Sequence, residues 1–151
     1  VMQARGFNEE DFARSHPAGA LGARLLNKVH NLMRTDDAIP QVKLDTSVMD
    51  AMLELSRTGL GLVAVCDSDS FVKGVFTDGD LRRWLVGGGK LESPVSEAMT
   101  QGGLTLNADS RAIEAKEVLM KRKITAAPVV DDGGKLCGAI NLQDFYQAGI
   151  I

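Results

Sequence analysis

The stretch with the most chemistry in this 151-residue sequence runs Gly74-Val75-Phe76-Thr77-Asp78-Gly79-Asp80-Leu81-Arg82-Arg83. An apolar strand ends at Thr77 and a helix opens near Asp80. Backbone N–H groups at a helix start favour an anion such as phosphate. The Thr77 hydroxyl can add a hydrogen bond to that phosphate, and a carboxylate three residues on can accept from the paired hydroxyls of a ribose. Arg82 or Arg83 can grip phosphate or carboxylate through two N–H groups at once. The local alternative is that Thr77 and Asp80 only cap the helix, and on these residues alone capping comes first. The two roles are compatible. A second aspartate at the matching place later in the chain, Asp144, strengthens the binding role.

Other candidates fall away on spacing. Asp67, Asp69, Asp78 and Asp80 suggest a divalent cation, but an EF-hand loop needs glycine at its sixth position, where Val72 stands, and a late glutamate. No metal site is therefore expected. Gly87-Gly88-Gly89-Lys90 lacks the earlier glycine and the Ser/Thr of a phosphate-binding loop. The two histidines, His16 and His30, both lie near the N-terminus and assemble no hydrolytic triad. Lys121-Arg122-Lys123 reads as a solvated helix end that complements the dipole, with lining of a ligand cleft as the lesser alternative.

Composition limits the partners. The formal net charge is -3 and aromatic residues make up 5% of the chain, which argues against nucleic-acid binding. No apolar run approaches bilayer length, and no signal peptide opens the sequence. A cytoplasmic protein with no membrane contact is expected. Cys66 and Cys137 stand in apolar contexts and read as buried, reduced thiols. The opening residues Val1 to Gly6 read as the middle of a longer protein.

The elements that must position Thr77 and Asp80 occur twice. A polar lead, with a helix start at Asn8–Phe12, a break at Ser15–Gly19 and a short helix from Leu21 to Lys28, precedes a regular order. Val29–Met33 is a short apolar turn and Val42–Leu44 an extended piece. A helix starts at Ser47 with Asp50 in a capping box, and Gly59 ends it. Leu62–Cys66 and Phe71–Phe76 are strands around an Asp turn, and a helix covers Leu81–Leu85. Gly87–Gly89 is a flexible joint. The same order then returns: a turn at Val95–Met99, a helix at Arg111–Lys123, strands at Ala127–Val130 and Lys135–Ile140, and a last helix from Asp144. An offset of 64 places Ala51 on Ala115, Leu55 on Leu119, Val65 on Val129, Asp67 on Asp131, Gly74 on Gly138 and Asp80 on Asp144. An offset of 66 places Val29 on Val95 and Met33 on Met99. One unit this small buries too little apolar surface to be stable alone. Two copies packed about a pseudo-two-fold axis, sharing one core, would leave two related clefts.

The repeat resembles a pair of CBS domains, the modules named after cystathionine β-synthase. The resemblance rests on Met33 and Met99 before each unit, the strand–Asp turn–strand, and Gly-hydrophobic-hydrophobic-Thr-x-x-Asp. It implies an α/β fold, a tandem CBS-domain pair of two β-α-β-β-α repeats about a pseudo-two-fold axis, with CBS domain 1 at 29–86, a linker at 87–94 and CBS domain 2 at 95–151. It also implies dimerisation and a regulatory nucleotide. The family's ribose and phosphate positions fall on Thr77 and Asp80 in the first copy and on Asn141 and Asp144 in the second, with Arg82 and Arg83 beside the first. The base edge falls on Leu60, Gly61 and Leu62 and on Thr125 to Ala127. Asn141 in place of Thr or Ser weakens the phosphate site of the second copy, which also has no arginine after Asp144.

The lead is similar to the end of the sugar isomerase domain in bacterial arabinose 5-phosphate isomerases, which carry a CBS pair at their C-terminus. The matching runs are Ala4-Arg5-Gly6-Phe7, Asp11-Phe12-Ala13 and Ser15-His16-Pro17-Ala18-Gly19-Ala20-Leu21-Gly22. Later runs are nearest to the paralogue encoded with glucitol utilisation. Residues 1–28 then read as the tail of the isomerase domain and a linker. His16 falls on an active-site position of that family, and Ala18 departs from its more usual glycine. The parent reaction would convert D-ribulose 5-phosphate to D-arabinose 5-phosphate through an enediol, which suits a histidine base. The 151 residues alone hold no complete isomerase site.

The resemblance implies a regulatory sensor that binds CMP-Kdo, the nucleotide-sugar end product of the lipopolysaccharide precursor pathway, or an adenine nucleotide such as AMP or ATP. No cofactor is expected. The pair would form a homodimer within a homotetrameric parent. The alternative is a structural module that only holds isomerase subunits together.

Overall fold

Each repeat is built around one helix whose buried stripe the sequence spaces at three and four residues. In the computed structural model, which describes residues 27–150, α2 (Val48–Thr58) buries Val48, Ala51 and Leu55. The readings on residues 1–26, including His16, lie outside the described residues. Ser47 accepts a hydrogen bond from the Asp50 N–H at 3.1 Å, and Gly59 closes the helix at φ 66°. Ahead of α2 lie α1 (Val29–Leu32), a single 3-10 turn at Asp36–Ala38 and β1 (Gln41–Lys43). After it come β2 (Val63–Cys66), β3 (Val72–Phe76) and α3 (Asp78–Val86). The second repeat adds β4 (Thr100–Gln101), β5 (Leu106–Asn107), α4 (Ala112–Lys121), β6 (Ala126–Val130), β7 (Leu136–Asn141) and α5 (Leu142–Gln147).

The sheets follow from these connections. β1 and β2 are parallel because α2 crosses between them, and β2 and β3 are antiparallel across a tight turn. Asp67 makes that turn: one carboxylate oxygen accepts from the N–H groups of Asp69 and Phe71 at 2.9 and 3.0 Å. Asp131 repeats it with Gly133 and Lys135 at 2.9 and 3.0 Å. One oxygen of the first aspartate in each acidic turn is thus spent on the backbone, and the other oxygen of Asp67 lies 3.7 Å from Lys73 Nζ. Among the described residues no three His, Cys, Asp or Glu side chains gather as a metal site needs. The pseudo-two-fold axis runs beside Phe71, which bridges to its own repeat mate Lys135.

The repeats exchange their lead segments. The Val29 N–H donates to Ser110 O at 2.9 Å and the Ala112 N–H to Asn27 O at 3.0 Å. At the matching positions Val95 N–H donates to Thr46 O at 2.7 Å and Val48 N–H to Ser93 O at 2.9 Å. β4 then pairs with β3 of the first repeat, and Arg34 bridges to Ala139 of β7 in the second. The apolar interior divides accordingly, into two cores rather than one. Val95, Ala98 and Met99 belong to the core of Val48, Val63, Val65 and Phe76, while Val29, Leu32 and Met33 belong to that of Leu119, Val129, Ile140 and Phe145. A smaller seam of Ile39, Leu60, Leu62, Ala126 and Ala139 joins them. Each core is completed by a segment carried on the other repeat's chain, so neither half closes alone.

Two local expectations change. Gly87–Gly89 is hydrogen-bonded into the end of α3, its three N–H groups donating to Arg83, Leu85 and Trp84 carbonyls at 2.8–3.1 Å. The indole N–H of Trp84 donates to Lys90 O at 2.9 Å, which lays the ring against Gly89. The joint is a closed helix end. Cys66 is buried, and burial pushes its thiol pKa up. Cys137 is only half-buried, its thiol raised by burial and then by Asp131 and Asp109. At the place of Gly59, the second repeat has Lys123 at φ 56°, a left-handed conformation that costs a side-chain-bearing residue. Lys123→Gly should raise stability by about 0.5–1 kcal/mol, a gain of roughly 1–4 °C by calorimetry.

Candidate functional site

Two capping boxes stand where strand meets helix, one in each repeat. At the first, the Thr77 N–H and hydroxyl both donate to one Asp80 oxygen at 3.0 Å, and the Asp80 N–H donates back to the hydroxyl at 3.2 Å. The other Asp80 oxygen accepts from Arg83 at 2.8 Å and from the Thr100 hydroxyl of the exchanged segment at 2.8 Å. Asp80 is 5% exposed. Capping is thus the role these residues perform within the chain. Arg82 is exposed, and its side chain makes no hydrogen bond or ion pair among the described residues.

The second box has the same frame and different partners. The Asn141 N–H donates to Asp144 at 3.0 Å, and the Asp144 N–H donates to the Asn141 amide oxygen at 3.0 Å. Asparagine has a donor left over, and its amide N–H reaches across the seam to Leu60 O at 3.4 Å. In the first repeat Thr77 turns its one hydroxyl proton onto Asp80 instead. Leu60, Thr125 and Asn141 therefore line one cleft with Leu142 and Gln143, about 190 Å³ in volume. Of the base-edge candidates, Leu60 and Leu62 sit in the seam, and Gly61 and Thr125 are exposed. The side chain of Ala127 is fully enclosed in the second core and presents no surface to a ligand.

Asp144 also has its arginine. Arg34, from the lead of the first repeat, lies against Asp144 with Nε and Nη2 each 3.4 Å from a carboxylate oxygen, and Nη1 donates to Thr58 O at 3.1 Å. The absence of an arginine after Asp144 is thus made good from the other repeat. By the offset of 66, Arg34 is the mate of Thr100, so each carboxylate is met by the same position of an exchanged segment.

This exchange and the paired boxes define the architecture, and the CBS domain family model matches residues 29–87 and 95–150. The chain belongs to the CBS-domain family. Across all 151 residues this CBS pair is 85% identical to arabinose 5-phosphate isomerase GutQ of Shigella flexneri, covering 47% of that protein. It is 41% identical to arabinose 5-phosphate isomerase KdsD of Escherichia coli K12, covering 46% of it. The chain spans about half the length of the curated relatives it matches. Among solved structures, that of CBSX2, an Arabidopsis thaliana CBS-pair protein, in complex with AMP matches with a TM-score of 0.70 and 26% identity, over 82% of this chain and 96% of that one. A Pyrobaculum aerophilum CBS protein complexed with AMP shares the fold at TM-score 0.70 and 17% identity, over 79% and 90%. No helix among the described residues is long and apolar enough to cross a membrane.

Proposed function

We propose that this CBS pair is the nucleotide-sensing regulatory module of an arabinose 5-phosphate isomerase that supplies the Kdo and lipopolysaccharide pathway. The observation that carries the reading is the second cleft, where Leu60, Thr125 and Asn141 meet beside the carboxylate of Asp144. A hydroxyl acceptor, a backbone edge and an arginine within reach are what a ribose, a base and an anionic group require. Identity to the isomerases over the whole chain supports the parent activity, with His16 as an active-site residue of the parent protein. The AMP complex of the CBSX2 relative supports a nucleotide as ligand. CMP-Kdo fits ahead of AMP or ATP, because end-product feedback gives the module a purpose and arginine suits an additional carboxylate.

A thermal-shift panel with AMP, ATP, CMP and CMP-Kdo tests this. A ligand at about 100 times its Kd should stabilise by roughly 2.7 kcal/mol, a rise of roughly 5–10 °C for a chain of this size. Unchanged melting with all four at millimolar concentration would reject the sensor reading. It would favour the second one, a module that holds isomerase subunits together in a dimer. That reading has its own observation: α2 and α3 lie against each other and leave Met49, Leu53, Leu85 and Val86 exposed.

A further inference from the structure

We infer that Arg34 selects the charge of the ligand in the second cleft, moving its guanidinium from Asp144 onto the ligand's phosphate or carboxylate and leaving Asp144 to accept from hydroxyls. The inference rests on the proposed nucleotide reading of that cleft. Its first support is geometric. The Arg34 backbone is fixed, donating to Ala139 O at 2.8 Å and accepting from the Ala139 N–H at 3.2 Å. Its side chain is loosely held: both contacts to Asp144 are 3.4 Å, against 2.8 Å for Arg83 on Asp80 and the 2.7–2.9 Å typical of charge-assisted bonds. The arginine is 28% exposed and the aspartate 14%, so the pair is neither dry nor tightly closed. Guanidinium has five N–H donors, and three are spent here on stretched or neutral contacts.

The second support is location. Thr58 lies two residues before Leu60, and Asp144 is capped to Asn141, so both partners of Arg34 border the lining of the cleft. The cleft holds about 190 Å³, whereas small-molecule sites usually enclose about 300 Å³ or more. A nucleotide therefore extends out of it, and its anionic end is free to meet a partly exposed guanidinium. The first box is held differently: at the position of Arg34 it has Thr100, which bonds Asp80 at 2.8 Å, and the arginine on that carboxylate, Arg83, comes from its own helix through a short 2.8 Å contact.

The test compares CMP with cytidine, and AMP with adenosine, by titration calorimetry on the 151-residue chain. Arg34→Ala should weaken the monophosphate roughly 10- to 100-fold, the loss of a charged hydrogen bond, and leave the nucleoside unchanged or tighter. Arg34→Thr copies the arrangement at Thr100 and keeps a hydroxyl near Asp144. It should melt like the unsubstituted chain and show the same loss of selectivity. If nucleoside and nucleotide weaken together, Arg34 is only a tie between repeats and the inference fails. If neither changes, it fails as well. An unsubstituted chain that binds none of these four, nor ATP or CMP-Kdo, removes the nucleotide reading itself, a result read before any variant is made.

Discussion

Gly74→Val is expected to cost about 3 kcal/mol and lower the melting temperature by roughly 6–12 °C. A Cβ at Gly74 would lie 2.5 Å from Thr100 O and 2.7 Å from the Met99 sulfur. The methionine can move, but the carbonyl belongs to β4, which is hydrogen-bonded along β3. The exchanged segment would have to lift from the sheet, and Val95, Ala98 and Met99 would leave the first core with it. Valine is otherwise a better strand residue than glycine, so propensity alone predicts a gain. A measured loss therefore reports the clash. The mate, Gly138→Val, meets chiefly the Met33 side chain, with Arg34 O at 3.0 Å, and should cost less because that side chain can turn aside. Calorimetry on both variants decides. Equal, small losses would show that the segments do not dock as described.

That docking marks the boundary of what the residues revealed before folding. The order of elements was legible because each signal is local: Ser47 with Asp50 starts a helix, Gly59 stops it, and Asp67 and Asp131 turn the chain. The offset of 64 then related one half to the other. An internal repeat gives the content of two units and is silent on which lead segment completes which unit. A trace of the answer was present, since strand glycines mark close backbone approach. Gly74 and Gly138 repeat, and so do Met33 and Met99, which turn out to be the side chains against them. Neither pair by itself shows the exchange. The same locality explains the arginines. Arg82 and Arg83 were conspicuous beside Asp80, whereas Arg34 lies 110 residues from Asp144 and meets it only because its segment crosses over. Asn141 read as a weakened threonine, yet its spare donor spans the seam to Leu60.

The two carboxylates that the offset of 64 aligns should separate cleanly on substitution. Asp80→Ala removes the acceptor for the Thr77 N–H and hydroxyl, the Thr100 hydroxyl and Arg83, all within 2.8–3.0 Å, in a residue 5% exposed. Losing a cap and stranding part-buried donors should cost about 3 kcal/mol, or roughly 6–12 °C. Arg83 adds little of this, because its side chain is 67% exposed and water screens the pair. Asp144→Ala loses the same cap but only stretched contacts to Arg34, and should cost about 1–2 kcal/mol, or roughly 2–8 °C. Binding should divide the opposite way. Asp144→Ala should abolish the nucleotide-induced rise in melting temperature, while Asp80→Ala, compared from its own lower baseline, should retain most of it. The reverse pattern, with Asp144→Ala binding like the unsubstituted chain, would move the ligand to the first cleft. In that case four short hydrogen bonds at Asp80 would have to open for each molecule bound.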